Sequence, residues 1–247
     1  MTNRVDVTVP TPDGACPAVL VTPDGATPRP AVIMFMDAGG VRPAMVTMAE
    51  HLAGLGYVVL LPEMYYRHGP YEPFDLASVF TDETERGRMF AMIGALTKAM
   101  AARDTGAFLE FLDGRAEVAG PRVGTTGYCM GGGLSLTAAA HHPDRIVAAA
   151  SFHGGQLASE APDSPHRVVG RITGRVVVAG ARDDASFPPE QAELLERALV
   201  EGGVDHTLEI YPALHGFAVP DNPTYDEAVA ARHWQALEEL YGSTLNA

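Results

Sequence analysis

Cysteine is scarce in this chain. Cys16 and Cys129 are the two in 247 residues, too few for a disulfide framework. A reducing cytoplasm is the setting this implies, and it would keep a thiol usable. Positive charge is also short, with 17 Lys and Arg against 31 Asp and Glu and a net charge of −14. A surface of that sign disfavours nucleic acid and anionic membranes as partners. No apolar run is long enough to span a bilayer, and the opening Met1-Thr2-Asn3-Arg4-Val5-Asp6 lacks the apolar core of a signal peptide. Internal repeats, low-complexity tracts and long linkers are missing too. These absences leave a small molecule as the expected partner, handled by a monomer or small homo-oligomer.

What the chain does have is apolar content, 47% of residues, enough for one large α/β core over residues 1–247. Val5 to Val9 alternates as a strand does, and Ala18 to Val21 follows a Pro12-Asp13-Gly14 turn as a second. Ala31 to Met36, Tyr57 to Leu61, Ile146 to Phe152 and Arg175 to Ala179 are nearly all apolar, as strands buried on both faces are. His206 to Tyr211 reads as the last strand. Met45 to Leu55, Thr84 to Leu112, Pro189 to Val200 and Tyr225 to Leu240 read as helices, and residues 62 to 83 as the longest irregular stretch. Strands alternating with helices predict a mostly parallel sheet with helices on both faces and an antiparallel start. A functional site is then expected beyond the carboxyl ends of the strands.

One pentapeptide concentrates the chemistry. Gly127-Tyr128-Cys129-Met130-Gly131 has the G-x-C-x-G form of a nucleophile elbow, a sharp turn that lifts a reactive side chain above the sheet. Arg122 to Thr126 reads as the strand before it, and Leu134 to Ala140 as the helix after it. A thiol needs a base, a charge partner or a helix N-terminus to be reactive at neutral pH, and the elbow offers the last. A buried structural cysteine is the plainer alternative. The base is expected later in the chain, at His215-Gly216-Phe217 after the last strand. Of the nine histidines, His51, His166, His206 and His233 read as surface or helix residues, and His141-His142 as a helix end. His153 follows a core strand and reads as packing or substrate contact. The orienting acid is expected in Gly180-Ala181-Arg182-Asp183-Asp184: spacing from the strand end favours Asp183, and spacing to Pro188 favours Asp184. Asp183 is the choice, Asp184 the alternative. Oxyanion-hole amides are expected at Met130, next to the nucleophile, and at Ala38 in Asp37-Ala38-Gly39-Gly40.

With these residues in order, the chain resembles the dienelactone hydrolase family of α/β-hydrolases from about Val5 to His233. Its marks are Gly127-Tyr128-Cys129-Met130-Gly131-Gly132, Leu61-Pro62-Glu63-Met64-Tyr65 and His215-Gly216-Phe217. The resemblance implies an α/β-hydrolase fold and a Cys-His-Asp triad, Cys129, His215 and Asp183 or Asp184, opening lactones or cleaving activated esters through an acyl-thioester. It places Asp37 where the family has a glutamate that holds the thiol proton, and offers Arg86 or Arg88 for a substrate carboxylate. Val219 stands where the family has a second arginine. Tyr65, Tyr66, Arg67, His68 and Phe217 are candidate pocket walls. No cofactor and no metal is expected, since no ligand set has convincing spacing. A thioesterase or acyl transferase on the same site, or a binding protein without turnover, are the alternatives.

Overall fold

The computed structural model describes residues 1–245. The apolar runs pair into one eight-stranded sheet: β1 (Thr2–Thr11), β2 (Gly14–Pro23), β3 (Arg29–Phe35), β4 (Val58–Pro62), β5 (Val118–Tyr128), β6 (Ile146–Phe152), β7 (Arg175–Ala181) and β8 (His206–Tyr211). Their order across the sheet is β1-β2-β4-β3-β5-β6-β7-β8. The first two strands join antiparallel, with Asp6 opposite Val19 and Leu20 opposite Leu60, and every later pairing is parallel. This is the expected antiparallel start to a parallel sheet. Burial follows position: β3 and β4 are almost wholly buried, whereas the edge strand β1 is largely exposed.

The helices are α1 (Pro43–Gly54), α2 (Glu83–Ala95), α3 (Lys98–Asp113), α4 (Met130–His141), α5 (Pro189–Glu201) and α6 (Glu227–Thr244). In α1, Pro43 opens the first turn and Met45, Met48, Ala49, Leu52 and Ala53 form the buried stripe. Neighbouring residues of β5 show that both faces are covered. Thr125 hydrogen-bonds Ser135 of α4 at 2.8 Å, while the next position, Gly124, faces Tyr241 of α6. Adjacent strand residues point to opposite faces, so α4 and α6 sandwich the sheet.

The expected helix from Thr84 to Leu112 is two helices. Leu96 leaves the helical region, and the Thr97 hydroxyl accepts the Met100 N–H to start α3 afresh. Asp82 caps α2 in the same way, through Thr84 and Glu85. Among the described residues no helix is long and apolar enough to cross a membrane.

Candidate active site

The carboxyl ends of five parallel strands carry the candidate residues. Asp37 and Ala38 follow β3, Cys129 ends β5, His153 follows β6, Asp184 follows β7 and His215 follows β8. At the elbow, Cys129 sits at φ 53°, ψ −120° between β5 and α4. A non-glycine residue there stores strain of about 1–3 kcal/mol and must be held by its surroundings. The surroundings are tight. A Cβ on Gly127 would overlap the Gly131 carbonyl, and one on Gly131 would overlap the carbonyls of Phe35 and Met36. Met130 opens α4, so its N–H has no intrahelical acceptor and lies at the positive end of the helix.

His215 is oriented by Asp184. Its Nδ1–H donates to Asp184 Oδ2 at 2.7 Å. Asp184 is buried, and its other oxygen accepts the Ser186 amide at 2.8 Å and hydroxyl at 2.6 Å. Burial alone would raise the Asp184 carboxyl, but these donors hold it below the usual range. Burial likewise pushes His215 down, yet the Cys129 sulfur and Asp184 outweigh it and lift the imidazole to about 10. With Nδ1 taken by Asp184, the other ring nitrogen is the one available to the sulfur.

Asp183, chosen from strand spacing, does not reach the histidine. β7 runs two residues beyond Ala179, to Ala181, which puts Asp183 in a left-handed turn at φ 55°. Its side chain is 81% exposed beside Arg182, and the next residue turns inward.

His153 is fully enclosed and also left-handed, at φ 39°. Its Nδ1 accepts the Cys129 N–H at 3.2 Å, an amide that also reaches the Phe152 carbonyl at 3.2 Å. An accepting Nδ1 carries no proton, and burial drives the ring well toward its neutral form. His153 therefore ties β6 to the elbow, a contact invisible in sequence because the two residues meet only through parallel pairing of β5 with β6.

Asp37 is not free to approach a thiol. Its carboxylate accepts both terminal nitrogens of Arg42, at 2.6 and 2.9 Å, and the Gly39 amide at 2.8 Å. The same guanidinium donates from Nε and a terminal nitrogen to Asp221, both at 2.7 Å. Arg42 thus spans 179 residues of sequence and locks the loop after β3 to the loop that carries His215. Neither Arg42 nor Asp221 had a sequence signal, because nothing local distinguishes them from other charged loop residues.

Cys129, His153 and His215 share one cavity of about 280 Å³ with Asp37 and Ala38. Leu76, Phe80 and Pro223 supply apolar wall, and Gly216, Asn222 and Thr224 complete it. Several expected walls lie elsewhere. Arg86 donates to the Phe80 carbonyl, and Arg88 pairs with Glu85 and stacks over Phe74, so neither lines the cavity. Short-range partners hold both, the Phe80 carbonyl ahead of α2 for Arg86 and Glu85 on α2 for Arg88. Tyr66 and Arg67 are held by Asp104, with Thr11 and Asp13. Tyr65 is buried beneath the site, its hydroxyl donating to the Ala38 carbonyl and to Met130 Sδ. Phe217 is buried against His153 and Tyr211. These two support the wall from behind.

His233 differs from expectation as well: it lies on α6 but is fully buried, accepting from Tyr128 and donating to the Ala230 carbonyl. The other thiol, Cys16, is buried, and desolvation pushes it up to about 12. Among the described residues no three His, Cys, Asp or Glu side chains are grouped to hold a metal ion.

The chain matches the family model described as "Dienelactone hydrolase family" over residues 16–245. It is 28% identical to a Synechocystis protein named "Putative carboxymethylenebutenolidase", over 97% of this chain and 96% of that one. Among solved structures it resembles a "Putative Dienelactone Hydrolase" of Klebsiella pneumoniae, with TM-score 0.85, 23% identity, and 98% and 99% of the two chains covered. It also resembles a dienelactone hydrolase-like promiscuous phosphotriesterase from metagenomic libraries, with TM-score 0.77, 28% identity, and 97% and 98% covered.

Proposed function

The chain belongs to the dienelactone hydrolase family and is a carboxylic ester hydrolase, and from that premise we propose that it cleaves a lactone or small ester through Cys129, His215 and Asp184. The observation that carries this is the meeting of Cys129 and His215 on one cavity, with His215 fixed by Asp184 at 2.7 Å. Asp184 holds the imidazole so that its free nitrogen serves the sulfur. The imidazolium favoured by these neighbours stands opposite the sulfur, and the thiolate of Cys129 is the nucleophile. The thiolate attacks the carbonyl carbon, and the oxyanion forms against the amides of Met130 and Ala38. The carbon–oxygen bond then breaks, and His215 gives its proton to the leaving oxygen. Neutral His215 next removes a proton from water, whose oxygen attacks the thioester. The carbon–sulfur bond breaks, the acid departs, and thiolate and imidazolium return.

Cys129→Ala tests the assignment. Turnover of a p-nitrophenyl ester is expected to fall by at least about 1,000-fold, and a slow substrate should leave an acyl mass on the intact enzyme that hydroxylamine removes. Unchanged turnover in the alanine variant would end this reading. A thiolate so placed also suits attack at phosphorus, as the name of the metagenomic phosphotriesterase suggests; release of p-nitrophenol from a neutral phosphotriester, lost in the same variant, is the readout for that reaction.

A further inference from the structure

The cavity that holds Cys129 has apolar walls and one acidic side chain, Asp37. Leu76, Phe80 and Pro223 form the apolar part of its lining. Among the described residues no Lys or Arg lines it. The Arg42 guanidinium beside Asp37 is saturated: all three of its nitrogens are bonded to the carboxylates of Asp37 and Asp221. Asp37 is thus paired to Arg42, and the second carboxylate, Asp221, lies outside the lining. Arg86 and Arg88 are turned to α2 and to the Phe80 and Glu72 carbonyls. Val219 is buried and apolar. The single lysine of the chain, Lys98, lies beside Gly133 on α4, outside the lining, where its charge is shared between Asp163 and the Cys129 sulfur.

We propose that this site selects esters and lactones whose acyl part is uncharged, and rejects those bearing a carboxylate near the scissile bond. This rests on the Cys129 hydrolase reading for its turnover test. An anion placed in the cavity would lose its water with no Lys or Arg in the lining to meet it, and would compete with the Cys129 sulfur for the His215 imidazolium. An alkyl or aryl group would exchange water for Leu76, Phe80 and Pro223.

The test uses three esters with one leaving group: p-nitrophenyl butyrate, mono-p-nitrophenyl succinate, and p-nitrophenyl methyl succinate, which matches the second in length without its charge. Expected is a kcat/KM for the succinate monoester on the order of 100-fold below butyrate, with the methyl succinate much closer to butyrate. The gap should narrow as salt rises. Phe80→Arg, which places a cation at the lip, should shift the succinate-to-butyrate ratio upward by about tenfold or more. Equal or better turnover of the charged ester would overturn the proposal. A charged-ester preference that vanishes in Lys98→Met would assign the anion to Lys98 instead. If no ester turns over, the hydrolase reading fails separately. The charge preference is then read from binding of the p-nitroanilides of butyrate and succinate, and tighter binding of the charged anilide would overturn it.

Discussion

Two adjacent aspartates at the end of β7 differ in everything but type. Asp184 is buried, takes three donors and holds His215, whereas Asp183 stands in solvent beside Arg182. Asp184→Asn is therefore expected to lower kcat on an activated ester by on the order of 1,000- to 10,000-fold, because an amide can present its NH₂ to His215 and stabilise the wrong tautomer. Asp183→Asn should leave kcat within about twofold. Equal losses in both would return the acid to an open question between them. The two cysteines separate as sharply. Cys129 is partly exposed at the cavity, while Cys16 is enclosed, with its thiol pushed up to about 12 by desolvation. Iodoacetamide at pH 7.5 is accordingly expected to add one carbamidomethyl group per native chain, at Cys129, with loss of activity in proportion. Peptide mapping reads the position, and modification of Cys16 first would contradict it.

At the scale of elements, the sequence showed strand and helix types well because their periodicities are local. Ile146 to Phe152 and His206 to Tyr211 are read with correct ends, since each is bounded by turn residues and filled with apolar or β-forming ones. Errors arose where an end is set by a partner. β7 extends to Ala181 because Gly180 and Ala181 still pair with Ile210 and Tyr211 of β8, and that extension is what moves the acid from Asp183 to Asp184. The Arg42 clamp, with Asp37 nearby and Asp221 brought in from 179 residues beyond Arg42, has no local signature at all. Glycine in helices shows the same division. Gly87 sits exposed in α2 with nothing near a prospective Cβ, whereas Gly131 in α4 abuts the Phe35 and Met36 carbonyls. Gly87→Ala should raise stability by about 0.5–1 kcal/mol through helix propensity. Gly131→Ala, with the same propensity gain, should instead lower Tm by several degrees and impair the elbow. Thermal denaturation of the pair is the measurement, and a stabilised Gly131→Ala would mean the elbow packing is looser than described.

For the whole molecule, the fold holds protons unevenly, and this sets how stability depends on pH. His153 and His233 are buried and neutral; desolvation lowers both, His233 to about 3. In the unfolded chain each would take up a proton below a pH of about 6.5. The unfolded state then binds more protons than the folded one, so stability falls as pH drops below that value, by about 1.4 kcal/mol per pH unit for each histidine. His215 works in the opposite direction. The Cys129 sulfur and Asp184 raise it to about 10 against the pull of burial, so its contribution is complete below about 6.5 and is lost as pH rises toward 10. The two effects place maximum stability near neutrality, though the acidic composition alone would set the isoelectric point near 4.9. Calorimetry from pH 4 to 10 should show Tm highest between about 6 and 7.5 and declining on both sides. His233→Gln, which keeps an amide opposite Tyr128 and the Ala230 carbonyl, should be less stable at pH 7 but have a shallower acid limb, by one proton's slope. His215→Gln should flatten the alkaline limb and leave the acid limb unchanged. An acid limb of the same slope in His233→Gln would show that buried neutral imidazole at that position is not what makes the fold acid-sensitive.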